Sequence, residues 1–207
     1  MSGSPIPTPF SKKKFIVHCQ QLIDNPGKLS NEFQLLQTLS VDLQMPTKTA
    51  CLQTNKEKNR YFDILPYDFS RVKLVVMIPT LIISGYSVED EYIACQGPKE
   101  ETTFDFWRMI EQNNINVIVT LTQRNTISIF QQLEKLLNMT IKCTSELDYR
   151  SYTQRTLVLQ KIVRRNAIAN KEYIAGIGRT GTLIAIDIIL HLQDNKKLDV
   201  FRIVYRL

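Results

Sequence analysis

Ala175-Gly176-Ile177-Gly178-Arg179-Thr180-Gly181 stands near the end of the chain, directly before an apolar segment that runs from Thr182 to Leu192. The glycines allow backbone N–H groups to converge on an anion, and the first turn of a following helix adds partial positive charge. Arg179 carries a planar guanidinium that can hold two phosphate oxygens at once. The sequence therefore predicts a phosphate-binding cradle made of Ala175, Gly176, Ile177, Gly178, Arg179 and Thr180.

Tyr173 lies six residues before Arg179, where covalent phosphate-ester chemistry would need a thiolate below the cradle. A phenol is a poor substitute for that thiolate, because it is protonated at neutral pH and carries a bulky ring. Two arrangements stay open. The phenol either fills the space of a phosphate, or it points away and leaves the glycine N–H groups and Arg179 able to hold an anion.

The composition predicts one soluble globular domain with an anionic ligand. The chain has 207 residues, of which 43% are hydrophobic and 22% are charged, so it can bury a core. A net charge of +6 suits phosphopeptides, but the sequence has no basic and aromatic stripe that would indicate nucleic acid. We expect no membrane partner, because no apolar run is long enough to span a bilayer.

The cysteines and histidines exclude a metal site of ordinary spacing. The chain has two histidines and four widely separated cysteines, at positions 19, 51, 95 and 143. We therefore expect reduced thiols, no metal and no cofactor. No secretory signal is visible at Met1 to Pro5, so we expect a cytoplasmic location.

The first part of the chain predicts two helices. Ser11 can cap the first helix, and Ser30 can cap a second one that ends before Pro46. Asn25-Pro26-Gly27 is typical of a turn between them. Residues 46–60 are polar and predict a loop.

The rest of the chain alternates strand and helix patterns. Helical patterns begin at Thr102 or Thr103 and also cover 127–137, 182–192 and 199–206. Strand patterns cover 64–67, 72–76, 92–95, 115–121, 139–143 and 156–160. The segment 115–121 carries the strongest strand signal and predicts a buried strand. This alternation predicts an α/β or α+β fold.

Four segments, in order, resemble the catalytic domain of the receptor and non-receptor protein tyrosine phosphatases. Lys58–Val72 resembles the phosphotyrosine-recognition loop, and Ala175–Gly181 resembles the signature loop. Tyr92–Pro98 and Asp105–Ile110 resemble core motifs of the family. The resemblance implies a central mixed sheet flanked by helices, in one incomplete domain over residues 10–207 that follows a disordered tail over 1–9.

The resemblance also assigns roles to single residues. Tyr61 would form one wall of a phosphotyrosine slot, and Asp63 would accept hydrogen bonds from the bound peptide backbone. Without the resemblance, Tyr61 is an ordinary core or surface tyrosine, Asp63 a turn-capping aspartate and Arg179 a helix-start arginine paired with a carboxylate. Asn59 and Arg60 are expected to brace the loop. The residues expected to serve the fold are Gln96, Gly97, Trp107 and Arg108.

The chain departs from the family at each catalytic position. Residues 172–174 are Glu-Tyr-Ile where the family has His-Cys-Ser, so the thiolate that Thr180 would hydrogen-bond is absent. Residues 160–172 contain no Trp-Pro-Asp general-acid loop and are too few to hold one. Residues 77–80 carry a degraded form of a further family motif, and the sequence given ends at Leu207, before the segment that positions water. The resemblance therefore predicts a truncated and catalytically inactive member.

Three functions stay open on these residues. The chain is an inactive protein that binds phosphotyrosine proteins, phosphotyrosine peptides or another partner, an active phosphatase with a displaced nucleophile, or a degraded copy that does not fold. Ala94–Lys99 is similar to tyrosine-phosphatase-like proteins of polydnaviruses, which implies a viral source and a host-cell cytoplasm. We expect the shortened domain to leave apolar side chains partly exposed on Leu183, Ile184, Ile186, Ile188 and Ile189.

Overall fold

The computed structural model describes residues 6–41, 43, 45–72, 80–84, 91–121, 139–161, 172–175, 178–192 and 196–207. Helices and strands alternate along these ranges, which confirms the expected α/β class. Predictions that fall on residues 1–5, 73–76 and 127–137 lie outside the described residues.

Two helices at the N-terminus pack against each other as a hairpin: α1 (Lys12–Asp24) and α2 (Pro26–Val41). Ser11 caps α1 as expected, because its side chain accepts a hydrogen bond from the backbone N–H of Lys14 at 3.5 Å. The predicted cap at Ser30 is wrong, since α2 begins at Pro26 and the expected turn shrinks to one residue. Proline suits a first helical position, where its fixed φ is helical and its missing N–H would have no partner.

A four-stranded mixed sheet forms the centre of the fold. It contains β1 (Thr80–Ile83), β2 (Tyr92–Cys95), β3 (Val117–Thr120) and β6 (Glu172–Ala175), in the spatial order β1-β2-β6-β3. β1 runs antiparallel to β2, while β2, β6 and β3 run parallel. The central mixed sheet that the family resemblance implied is therefore present.

Two longer strands form a separate antiparallel hairpin, as their alternating pattern predicts. They are β4 (Met139–Asp148) and β5 (Thr153–Lys161), with a bulge between Cys143 and Ser145. Arg155 and Glu146 face each other across the hairpin, with Arg155 Nε donating to Glu146 Oε2 at 2.7 Å. The two strands are longer than the sequence pattern indicates, because polar residues extend the pairing to Asp148 and Thr153 beyond the apolar core of the pattern.

Helices cover both faces of the central sheet. After a 3₁₀ turn (Glu100–Thr102), α4 (Thr103–Gln112) packs Phe106, Trp107 and Met109 against Ile93 and Cys95 of β2. Alternate strand residues point to opposite faces, and Tyr92 accordingly packs on the other side, against α5 (Gly178–Leu190). The short α6 (Val200–Arg206) lies beside α5 and is capped by Asp199, whose carboxylate accepts from the N–H of Arg202.

Three expectations about strands and loops are wrong. Ile64–Tyr67 forms no strand, because its backbone runs between two anchored points. Ile64 and Tyr67 are exposed, while Pro66 between them is buried. The strand predicted over 115–121 is shorter and only partly buried, because β3 is the last strand of the described sheet. The loop predicted over residues 46–60 contains a one-turn helix, α3 (Gln53–Lys56).

The expected exposure of the helix after the cradle holds for one face only. Ile184 and Ile188 are buried against Tyr92, so the prediction is wrong for them. Ile186 is 48% exposed, as expected.

Candidate functional site

The carboxyl ends of three parallel strands lie side by side at one edge of the sheet. Cys95 of β2, Ala175 of β6 and Thr120 of β3 are in register across the three strands. In open α/β sheets, ligands bind in the crevice beyond these ends. The segments that follow the three strands therefore define the candidate site, which we call the carboxyl edge.

The predicted cradle connects β6 to α5 at this edge. Ala175 ends the strand, Gly178 begins the helix, and Gly176 and Ile177 between them lie outside the described residues. A Cβ built on Gly178 would meet no atom within 4 Å. The space beside the Cα of Gly178 is therefore open. The first backbone N–H groups of a helix have no partner inside the helix, and such groups can bind an anion.

Gly181 allows a test of the same open space. Gly181→Ala should raise the free energy of unfolding by about 0.5–1 kcal/mol, because glycine inside a helix is less stable than alanine by that amount. The added Cβ would again meet no atom within 4 Å. Urea unfolding measures the change. Gly27→Ala is the matched control, with a smaller gain expected because its Cβ would lie 3.2 Å from Asn25 Oδ1. A less stable G181A variant would contradict the free space at α5.

Arg179 is exposed in the first turn of α5, and its orientation is fixed by the neighbouring strand. Its Nη1 donates a hydrogen bond to the carbonyl oxygen of Leu121, directly after β3, at 3.0 Å. Among the described residues no carboxylate pairs with Arg179, which does not support the alternative of a structural ion pair. Nε and Nη2 remain as the edge that can hold two oxygens of an anion.

Thr180 is the buried polar group of the cradle. Its side chain is 2% exposed, and its hydroxyl has no hydrogen-bond partner among the described residues. A buried hydroxyl without a partner is unfavourable by about 1–3 kcal/mol. Within the described part of the chain, the Thr180 hydroxyl is therefore an unused donor and acceptor next to Arg179, at the position where the family resemblance implies a thiolate contact.

The segment before Tyr61 is fastened to the loop that follows β2. Arg60 donates from its backbone N–H to Gln96 Oε1 at 2.8 Å, from Nε to Gly97 O at 3.0 Å and from Nη2 to Pro98 O at 2.8 Å. Asn59 donates to Ala50 O at 3.1 Å. The expectation that Asn59 and Arg60 brace the loop is confirmed. The contacts of Arg60 also place this residue beside the loop at the carboxyl end of β2.

Tyr61 and Asp63 are both exposed beside this anchored segment. Tyr61 is 46% exposed, so the alternative of a core tyrosine does not hold. Asp63 accepts no hydrogen bond from a described residue, and the structure gives no support to a turn-capping role. Neither side chain contacts Arg179 within the described part of the chain, so their joint role in a slot stays a prediction.

Asp68 is a residue of this region that the sequence did not single out. Its carboxylate accepts hydrogen bonds from the backbone N–H groups of Thr49 at 2.9 Å and Lys48 at 3.0 Å. These bonds, chiefly those of Thr49 and with a further contribution from the positive charge of Arg71, lower the pKa of Asp68. An aspartate two residues after Pro66 is typical of a turn anchor, and that signal could have identified it.

The Asp68 contact predicts a dependence of stability on pH. A carboxyl whose pKa is lower in the folded state stabilises the protein above its unfolded pKa and loses that effect as pH falls through the folded pKa. We expect Asp68→Asn to lower stability at neutral pH, with the difference from wild type shrinking below the ordinary value of 3.8. Chemical unfolding at a series of pH values measures this difference. A difference that does not change between neutral and acidic pH would contradict the carboxylate's role.

Asp187 joins α5 to the sheet. The hydroxyl of the buried Tyr92 donates to Asp187 Oδ2 at 2.5 Å. His191, directly after the end of α5, contacts the same carboxylate oxygen at 3.5 Å. The pair fixes the helix that carries Arg179 against β2.

Within the described ranges, no group of three or more His, Cys, Asp or Glu side chains could hold a metal ion. None of the described helices combines the length and the apolar character needed to cross a membrane.

A mixed sheet with helices on both faces, and with Arg179 at its carboxyl edge, defines an α/β domain. The family model for protein-tyrosine phosphatase matches residues 55–174, which is more than half of the chain. The chain belongs to the protein-tyrosine phosphatase family.

Curated relatives of this chain are also tyrosine-protein phosphatases by name. Receptor-type tyrosine-protein phosphatase eta of Mus musculus is 30% identical over 91% of this chain and 20% of the relative. Receptor-type tyrosine-protein phosphatase alpha of Homo sapiens is 28% identical over 91% of this chain and 31% of the relative. Receptor-type tyrosine-protein phosphatase C of Homo sapiens is 32% identical over 79% of this chain and 17% of the relative. The chain thus spans less than a third of the length of each of these relatives.

Proposed function

We propose that this chain is a catalytically inactive member of the family that binds phosphotyrosine proteins or peptides at the carboxyl edge. The observation that supports this proposal is the exposure and hydrogen bonding of the Arg179 guanidinium. The guanidinium is exposed, held by Leu121 O, and leaves Nε and Nη2 available beside the first turn of a helix. Such a pair of parallel N–H groups matches two oxygens of a phosphate monoester.

The lack of turnover follows from the chemistry that hydrolysis requires. A phosphatase of this type needs a nucleophile, an acid for the leaving phenol and a base for water. Tyr173 stands at the nucleophile position, and residues 160–172 contain no Trp-Pro-Asp acid. Electrostatic stabilisation by Arg179 alone would leave the attacking group and the proton donor missing.

Cys95 does not replace the missing nucleophile. Among the four cysteines it is the one that lies at the carboxyl edge, at the end of β2. Its burial raises the pKa well above the ordinary value, and its thiol donates to the carbonyl oxygen of Gln96 at 2.7 Å. A buried, protonated thiol is a structural residue, because the nucleophilic form is the thiolate.

Tyr61 and Asp63 would supply the remaining recognition. The ring of Tyr61 would stack on the phenyl ring of a phosphotyrosine, and Asp63 would accept backbone N–H groups of the peptide. The bonds of Arg60 hold the residue directly before Tyr61 close to the carboxyl edge before any ligand arrives. Such preorganisation reduces the entropy lost on binding.

Isothermal titration with a phosphotyrosine peptide and its unphosphorylated twin tests the proposal. We expect the phosphopeptide to bind at least about tenfold more tightly, since hydrogen bonds to a charged group contribute about 1.5–3 kcal/mol. Equal affinities for the two peptides would show that the protein does not recognise the phosphate group. A cooperative thermal melt on the same sample separates this outcome from a chain that does not fold.

Restoring the cysteine alone should not restore an enzyme. We expect Tyr173→Cys to release phosphate from a phosphotyrosine peptide at less than about 0.1 per second, at least about 100-fold below an ordinary turnover rate, because the general acid is also missing. Malachite-green detection of phosphate measures the rate, with Tyr173→Ser as the matched control. Turnover of Y173C near 10 per second would show that another group supplies the proton.

The rival function is an active phosphatase with a displaced nucleophile. An assay with p-nitrophenyl phosphate decides between the two. Wild-type turnover that disappears in Arg179→Ala would replace our proposal with the active enzyme.

The state of the cysteines supports a reducing, cytoplasmic location as part of this proposal. All four are free thiols in the structure. Reduced cysteines are typical of proteins that work in such a compartment.

A further inference from the structure

The loop from Tyr61 to Phe69, which we call the aromatic loop, turns large apolar side chains toward solvent. Phe62 is 92% exposed and Phe69 is 69% exposed. Tyr67 and Phe69 stack with ring centroids 6.0 Å apart. Five of the nine residues are large, apolar or aromatic, and exposed: Tyr61, Phe62, Ile64, Tyr67 and Phe69.

The exposure belongs to the fold and does not come from a frayed end. Arg60 fastens one end of the aromatic loop to Gly97 and Pro98. Asp68 fastens the other end, because its carboxylate accepts from Lys48 and Thr49 and its N–H donates to the carbonyl oxygen of Pro46 at 2.8 Å. Between these anchors a held backbone presents the five large side chains to water, while Leu65 is half-buried and Pro66 is buried.

The protruding side chains of the aromatic loop favour a bilayer as the partner over a short peptide. A side chain that is 92% exposed protrudes from the surface and lies in no groove of its own. A short peptide binds by placing its own side chains into pockets, whereas the interfacial layer of a bilayer surrounds a protruding ring. Tyrosine is enriched in that layer, and Phe is typical of the apolar faces that bury there.

The residues around the aromatic loop carry a net positive charge, which favours a membrane with anionic lipids. Residues 46–71 contain five Lys and Arg residues against three Asp and Glu residues, in a chain of net charge +6. Lys48 and Lys56 are exposed and make no ion pair with a described residue. Basic residues beside an apolar anchor add attraction to anionic lipid headgroups. Asp63 opposes this attraction from within the loop, but the region as a whole stays positive.

We propose that the aromatic loop inserts into the interfacial layer of an anionic membrane and holds the protein there peripherally. Phe62 and Phe69 supply the apolar anchor, and Lys48 and Lys56 supply the charge. This surface extends the account beyond phosphotyrosine binding and revises the expectation, drawn from the absence of a spanning segment, that there is no membrane partner. Insertion would turn the carboxyl edge toward the membrane surface.

Vesicle sedimentation of the full chain tests the proposal. Phosphatidylcholine vesicles with added phosphatidylserine should bind the protein, and phosphatidylcholine alone should bind it at least several-fold less. Phe62→Ser should lower the partition coefficient by about tenfold, because an inserted phenyl ring is lost. Leu190→Ser is the matched control, with no change expected, since Leu190 is 76% exposed but lies on α5. The thermal midpoint of F62S should equal that of wild type.

A spectroscopic variant reports insertion directly. Phe62→Trp should show a blue shift of its emission with anionic vesicles, while the native Trp107 is buried and should not respond. No binding to anionic vesicles, or equal binding by F62S and wild type, would overturn the proposal. Loss of phosphotyrosine-peptide binding in F62S, without any vesicle binding by wild type, would assign the aromatic loop to peptides instead. Phosphopeptide affinity of wild type is measured separately, so failure of phosphate recognition is distinguished from failure of membrane binding.

Discussion

Trp107→Ala should lower the free energy of unfolding by about 3–5 kcal/mol, the largest effect that we expect from a single substitution. Trp107 is 3% exposed on α4, and its ring meets Phe106 edge to face at 5.3 Å between centroids. Both rings belong to the cluster that packs α4 against β2. The free energy of unfolding of a domain of this size is about 5–15 kcal/mol, so the substitution removes a large part of it.

Urea unfolding followed by far-UV circular dichroism measures this effect. Fluorescence is unsuitable, because Trp107 is the only tryptophan in the sequence. Leu190→Ala is the matched control, and we expect a change of less than about 0.5 kcal/mol there because the side chain is exposed. If W107A unfolds at the same urea concentration as wild type, the packing of α4 on the sheet is not what stabilises the fold.

Arg179→Ala should weaken binding of a phosphotyrosine peptide by about 10- to 100-fold and leave the affinity of the unphosphorylated peptide unchanged. The substitution removes the Nε and Nη2 donors, and the carbonyl oxygen of Leu121 loses its hydrogen bond from the guanidinium. Hydrogen bonds to a charged group contribute about 1.5–3 kcal/mol to binding, which corresponds to about a 10- to 100-fold change in affinity.

Two further variants make the Arg179 experiment specific. Arg179→Lys keeps the charge but loses the two parallel donors, so we expect an intermediate affinity. Arg150→Ala removes the same charge from an exposed site on the hairpin and should leave binding unchanged. If R150A and R179A weaken binding equally, the peptide responds to net charge alone and the cradle has no specific role.

Strong local signals made part of the fold predictable. Tyr92–Cys95 is an apolar run bounded by Gln96-Gly97-Pro98, and the strand has these bounds. Ser11 begins a helix because its side chain can accept from Lys14 N–H. The amphipathic spacing of Phe106, Trp107 and Met109 identifies the buried face of α4, since a helix places residues three and four apart on one side.

Other parts depend on contacts that are distant in sequence. Ile64–Tyr67 has a strand-like composition, but short apolar runs do not by themselves identify a strand. Here Arg60 and Asp68 anchor the ends of the segment to residues 96–98 and 46–49, and most of the large side chains between them are exposed. Burial of Ile184 and Ile188 likewise depends on Tyr92, which lies far away in the sequence.

The sequence predicted which residue types form the candidate site, but it did not predict the contacts that these residues make. The glycines and Arg179 identified the cradle, since few other segments place an arginine among glycines before an apolar helix. The partner of Arg179 is a backbone carbonyl, Leu121 O, and any residue type supplies such a group. No sequence pattern could therefore indicate it.

Phosphorus NMR of a phosphotyrosine peptide with a stoichiometric amount of the protein tests the central claim, binding without hydrolysis, most directly. We predict that the phosphomonoester signal shifts or broadens in the presence of wild type, stays sharp in the presence of Arg179→Ala, and yields no inorganic phosphate over hours. An inorganic phosphate signal that grows with wild type and is absent with R179A would contradict the account. An unperturbed phosphomonoester signal in both samples would contradict it as well.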